Sequence, residues 1–250
     1  MKTSRHLIAA IVVTCLLVAH GSMAWEVWIA DGKTGAVIDE SHGCESIREA
    51  YETVLPVLCP WETNSRNPNV FSPGFPVDSF RILGNWDGYE VAHVVDFEQN
   101  HQSILLKAPD DGWHFIFIQF GEWNKNSLGM EPEFWMVEGR AVLANRLPVA
   151  GNGGCHLELY WVADEESGEP RMLDLSAISE AEASALPEKG KVGIRSGTLD
   201  LQKLTYRTPV WMPGDGACCP SGGQVEMTLA IEHNRVVPKT CRFVEQEGNP

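Results

Sequence analysis

The sequence predicts a mainly β fold, an antiparallel sandwich or curved-sheet architecture with one or two short helices. Three observations predict it. Short stretches rich in Val, Ile, Phe, Tyr and Trp recur along residues 79–245. Clusters of Gly, Pro, Asn and Asp bound them, as turns bound strands. Only two stretches carry the three- and four-residue apolar step of a helix.

The elements follow in order. Residues 25–29 read as a first strand, ended by Asp31-Gly32. Over residues 45–55, Ile47, Ala50, Tyr51, Val54 and Leu55 recur at helical steps, so one helix face is apolar, and Pro56 and Pro60 limit it. Residues 64–77, rich in Asn, Ser and Pro, read as a loop or linker. Residues 80–83 and 89–97 flank Asn85-Trp86-Asp87-Gly88, where Asp-Gly supplies the positive φ of a hairpin. Residues 103–108 and 113–120 form the next pair across Asp110-Asp111-Gly112, and 113–120 is apolar on both faces, which places it mid-protein. Strands at 133–137, 140–147 and 156–163 continue the series. A second short helix at 178–185 then precedes strands at 191–195, 198–206, 224–232 and 241–245.

Residues 1–24 carry a basic head with Lys2 and Arg5, an apolar run over 7–19, and small residues Ser22 and Ala24. That is the pattern of a secretory signal peptide, with cleavage after Ala24. The run is shorter than the roughly 20 apolar residues a membrane span needs, and no later segment is long and apolar enough to serve, so no transmembrane segment is expected after cleavage. The reading divides the chain into a leader at 1–24, an N-terminal helical and loop segment at 25–78, and a β-rich domain at 79–250, of one or two successive β units.

Taking Lys2 and Arg5 from the 19 basic residues leaves 17 against 34 acidic ones, a formal charge of −17. Such acidity repels phosphate backbones and excludes nucleic acid as a partner. Removing Cys15 from the seven cysteines leaves six: Cys44, Cys59, Cys155, Cys218, Cys219 and Cys241. An even count in an exported chain reads as disulfides. With 44% hydrophobic residues the core is ample, so disulfides supplement the fold.

The most informative stretch is Pro213-Gly214-Asp215-Gly216-Ala217-Cys218-Cys219-Pro220-Ser221-Gly222-Gly223, ahead of an alternating strand with Val225, Met227, Leu229 and Ile231. It resembles a domain of uncharacterised bacterial exported proteins and lipoproteins that carries Gly-Asp-x-x-Cys-Cys-Pro-Ser/Thr before a final hairpin. The likeness spans about residues 159–238, and it implies a β-rich fold at the envelope or outside the cell and no established activity. On an extended segment, Cys218 and Cys219 point to opposite sides and can meet different partners. The expected pairing gives Cys155 and Cys241 one each and joins Cys44 to Cys59, among about 15 possible arrangements.

No spacing here points to catalysis or to a cofactor. The histidines left after the leader, His42, His93, His101, His114, His156 and His233, form no helical zinc pair, and no Cys-x-x-Cys accompanies them, so no metal site is expected. No Gly-x-Ser-x-Gly elbow or phosphate loop is present. Asp87, Glu90, Asp96, Glu98, Asp110 and Asp111 crowd the first β unit, but turn chemistry explains Asp87, Asp110 and Asp111 at least as well as a glycosidase pair. Of nine Trp, those at 25, 28, 61, 86, 123 and 211 suit sugar stacking by position, whereas Trp113, Trp135 and Trp161 suit gap filling. The sequence therefore favours a non-catalytic exported module binding a protein or glycan. The alternative is a hydrolase of an extracellular polymer working through a carboxylate pair, Asp87 and Glu90.

Overall fold

The computed structural model describes residues 25–30, 35–41, 43–55, 80–96, 101–119, 130–148, 156–193, 197–216 and 219–245. The leader at 1–24 and the loop and boundary at 64–78 lie outside the described residues. Among the described residues the architecture is mainly β with two short helices, its sheets antiparallel apart from one strand pair, and one sheet strongly curled into a half-barrel.

The first sheet has six strands: β1 (Trp25–Ala30), β2 (Gly35–Ser41), β3 (Phe80–Trp86), β4 (Tyr89–Asp96), β5 (His101–Ala108) and β6 (Gly112–Gln119). Their order is β2-β1-β6-β5-β4-β3, and β1 runs parallel to β6. Residues on both sides of 56–79 thus build one sheet. The first helix, α1 (Ile47–Glu49), continues as a π-helical turn over Ala50–Val54. Ser46 caps it by accepting from Glu49 N at 3.1 Å, while Glu49 Oε2 reaches back to Glu45 N at 2.8 Å. All five residues of its apolar face are buried against Ala92, Val94, Leu105 and Phe115 of the sheet.

β6 is buried from Trp113 to Gln119, as its two apolar faces require. Its alternation is not continuous. A bulge opposite Ile104/Leu105 puts Phe115 and Ile118 on the α1 side and Ile116 and Phe117 on the other.

The second sheet, β7 (Glu133–Val137), β8 (Arg140–Pro148), β9 (His156–Ala163) and β10 (Pro170–Met172), has the order β10-β9-β8-β7. It is a middle layer. Leu143, Leu159 and Trp161 pack on Trp25, Ile104 and Phe117 of the first sheet, whereas Val142, Ala144, Tyr160 and Val162 pack on the third.

The third sheet comprises β11 (Lys191–Val192), β12 (Thr198–Asp200), β13 (Thr205–Trp211), β14 (Gln224–Glu232) and β15 (Arg235–Val244), with α2 (Ser176–Ala185) against β15. The single strand expected over 198–206 is two strands, because Asp200 Oδ1 accepts from Lys203 N at 3.0 Å and Leu204 takes a φ of 51°. β15 begins six residues before the expected 241. Its Pro238 sits at a bulge, where a missing N–H costs no ladder bond.

Candidate binding cleft at the turn end

Hairpin turns of the first two sheets gather at one end. Asp87 and Gly88 turn β3 into β4 with φ of 48° and 92°, and Asn85 Oδ1 accepts from Gly88 N at 3.0 Å. Glu138 and Gly139 do the same between β7 and β8, with φ of 51° and 82°. The β9–β10 turn is an Asx turn, in which Asp164 Oδ1 accepts from Glu166 N, Ser167 N and Ser167 Oγ at 2.9–3.1 Å. Between these turns lies a cleft of about 420 Å³, lined by Asp87, Tyr89, Arg140, Asp164 and Glu165 and by turn glycines.

Its charges are largely spent inside the chain. Arg140 donates to the carbonyls of His233 and of Ala163, the latter at 3.2 Å, and pairs with Glu165 at 3.4 Å. The hydrogen bonds from Ser167 and Glu166 hold the Asp164 carboxyl below the usual aspartate range. Tyr89 donates to Gly168 O at 2.8 Å, and burial, then Glu169 and Asp87, push its phenol upward. Behind Tyr89 stand Trp25, edge-on at 5.4 Å, and Trp86; Trp25 also stacks on His114 at 4.0 Å. His114 is buried and sits 3.1 Å from the half-exposed carboxylate of Asp111.

The carboxylates singled out in the sequence do not converge here. Asp87 lines the cleft, but Glu90 pairs across to Lys107 on β5 at 4.0 Å and is not part of the lining. Asp110 and Asp111 occupy the β5–β6 turn. The side chains of Asp96 and Glu98 lie outside the described residues. Trp25, Trp86, Trp113 and Trp161 are all buried, so Trp25 and Trp86, placed above among candidates for sugar stacking, fill the core instead. Trp61 and Trp123 lie outside the described residues. No group of three His, Cys, Asp or Glu among the described residues could hold a metal ion.

Three strand histidines are buried, and His93 and His101 are tied to side chains. His93 Nε2 meets Gln102 Oε1 at 3.4 Å, and Gln102 donates on to Gln119 at 2.6 Å. The α1 layer holds an arrangement not read from the sequence: the Tyr51 hydroxyl lies between His101 Nε2, at 3.0 Å, and Ser103 Oγ. Its signal was a Tyr on the apolar face of a helix, whose hydroxyl must find a partner when buried.

The cysteines differ from the expected pairing. Cys241 is a free thiol, half-buried, with Sγ 3.5 Å from Ala181 O; burial and then Glu182 raise its pKa. It pairs with Met227, three residues and about 10 Å inward from Gln224 at the start of β14, and faces α2. Cys44 also carries a thiol, 3.9 Å from Thr53 Oγ1, its pKa raised chiefly by burial. The Cys44–Cys59 bridge and the bridge from Cys241 to the Cys218-Cys219 pair are therefore corrected. Cys219 is disulfide-bonded. No disulfide joins two described cysteines, and Cys59, Cys155 and Cys218 lie outside the described residues.

The loop itself is organised by Asp215. Its carboxylate accepts from Met212 N at 2.6 Å, Ser221 N at 2.9 Å and Ser221 Oγ at 2.6 Å, which holds its pKa low and closes the loop on its own ends. The Asp and Ser of the motif are thus a clasp.

No family model matches this chain, and neither does any curated protein or solved structure. No helix among the described residues is long and apolar enough to cross a membrane.

Proposed function

We propose that this protein is an exported, non-catalytic module that uses the turn-end cleft to bind a glycan or a protein at the cell envelope or outside the cell. One observation carries the reading. Two of the cleft's carboxylates and its guanidinium are engaged within the chain, while its walls are turn backbone and one phenol. Groups bonded in this way are poor general acids or bases, which must be free to exchange a proton with a substrate. They make a rigid polar cradle, and its volume falls in the range of ordinary ligand sites.

Export rests on the leader pattern of residues 1–24. The resemblance of the Asp215–Ser221 stretch to the exported-protein domain supports the same location. The leader is tested by N-terminal sequencing of protein recovered from cells, which should start at Trp25.

The cleft is tested by screening neutral glycans and envelope extracts with the wild type and with an Asp87→Asn/Glu165→Gln variant. A captured ligand should be held more weakly by the variant. Equal retention would remove the cleft as the site, and substrate turnover by the wild type would overturn the non-catalytic reading.

A further inference from the structure

We infer that the solvent face of the C-terminal sheet carries a second site, in which Arg207 and Arg242 across Glu226 recognise the carboxylates of an acidic polysaccharide. The site depends on strand register. Arg207 on β13 is directly opposite Glu226 on β14, which is directly opposite Arg242 on β15. One row further along the same face, Thr205, Thr228 and Thr240 are in register. Side chains of alternate residues share a face, so the two rows lie side by side, about 7 Å apart. The core side of β14 is Val225, Met227, Leu229 and Ile231. Over these rows lies a depression of about 450 Å³.

The charges differ from those of the cleft. Glu226 is saturated: Oε1 takes Gln224 Nε2 at 2.7 Å and Arg207 at 3.6 Å, and Oε2 takes Arg242 at 2.9 Å. Each guanidinium has five donors, and these contacts use few of them. The side chains of Arg207 and Arg242 are 67% and 72% exposed. Two arginines against one glutamate leave this row at +1, in a chain of formal charge −15.

Arginine forks fit carboxylates in pairs of parallel hydrogen bonds. The neighbouring hydroxyls, of which Thr228 and Thr240 share a bond at 2.6 Å, supply both donors and acceptors. A ligand bearing carboxylates among hydroxyls matches that combination. A polyphosphate matches only half of it, because it has no hydroxyls to meet the threonine row.

The inference stands apart from the cleft and is tested separately. Affinity electrophoresis of the full mature chain in gels containing polygalacturonate should retard it, and gels of the fully methyl-esterified polymer should not. Arg207→Ala/Arg242→Ala should weaken retardation at least about tenfold. Glu226→Gln frees both guanidiniums and should tighten binding several-fold, an outcome that a merely structural role for Glu226 would not give. The Asp87→Asn/Glu165→Gln variant should behave as wild type here. Unchanged binding by the double arginine variant, with circular dichroism showing it folded, overturns the site. So does equal retardation by the esterified polymer, or no retardation by either.

Discussion

Acidification between about pH 7 and pH 5 should destabilise this protein through its buried histidines before any carboxylate is titrated. His101 is fully buried beside Tyr51, and desolvation lowers its pKa from 6.5 to about 3, against a backbone hydrogen bond at Gln119 that acts the other way and with the His93 charge adding to the fall. The unfolded chain therefore takes up a proton near 6.5 that the folded chain refuses until about 3. Stability is complete above the unfolded value and falls with pH across that window, by about 1.4 kcal/mol for each pH unit. At pH 5 the loss is about 2 kcal/mol from His101 alone, a large part of a typical domain's 5–15 kcal/mol. His93 is lowered for the same leading reason and adds in the same direction.

The carboxyls of Asp164, Asp174, Asp200, Asp215 and Glu232 are held below their ordinary range, so the stability they bring is lost only at lower pH. Urea unfolding followed by Trp fluorescence at about pH 7, 6 and 5 isolates the histidines. His101→Gln should flatten the pH slope markedly at constant m. If wild type and variant show the same slope, the refused proton is not on His101 and the reasoning fails.

Tyr51→Phe removes the hydroxyl between His101 and Ser103, leaving buried polar atoms without that partner, and should cost about 1–3 kcal/mol in the same assay; adding Ser103→Ala should recover part of the loss. Gly112→Ala places a Cβ 2.2 Å from Cys44 O at a φ of +80° and breaks the bridge between Cys44 and Trp113. A loss of about 3 kcal/mol is expected, read as a lower Tm, and an unchanged Tm would show that the loop before α1 can move aside. Asp215→Asn weakens the clasp, so hydrogen exchange at Met212 and Ser221 should speed up while the β14 amides keep their protection.

Local pattern made the β class, the α1 face and the central place of β6 readable, because each depends on periodicity within a few residues. The apolar step of Ile47, Ala50, Tyr51, Val54 and Leu55 needed no tertiary information to be seen, and all five are buried. β2 was missed because Gly35, Asp39, Glu40 and Ser41 lack a strand composition, and pairing with β1 overrides it. The break at residues 201–204 shows in the sequence only as a one-residue slip of the alternation, from Leu199 and Leu201 to Leu204 and Tyr206, and its cause is one Asp200 turn bond. Site residues were harder still. Tyr51 meets His101 from 50 positions away, and Arg207 meets Arg242 only through the register of β13 and β15 on β14. The Asp215 clasp, whose partner Ser221 lies six positions on, lay closest to what the motif displayed.

The two proposed sites separate by how their charges are spent, and salt tells them apart. At the cleft, Arg140 is 17% exposed and committed to two carbonyls and Glu165, so a ligand there gains from hydroxyl and backbone contacts that ions hardly screen. On the C-terminal face the arginines stand in solvent, where a screening length near 10 Å at about 0.1 M salt weakens any attraction reaching beyond direct contact. Raising the salt should therefore release an acidic polysaccharide from Arg207 and Arg242 while leaving a neutral cleft ligand in place. One chain would then hold two ligands of different chemistry, each dissociable without the other.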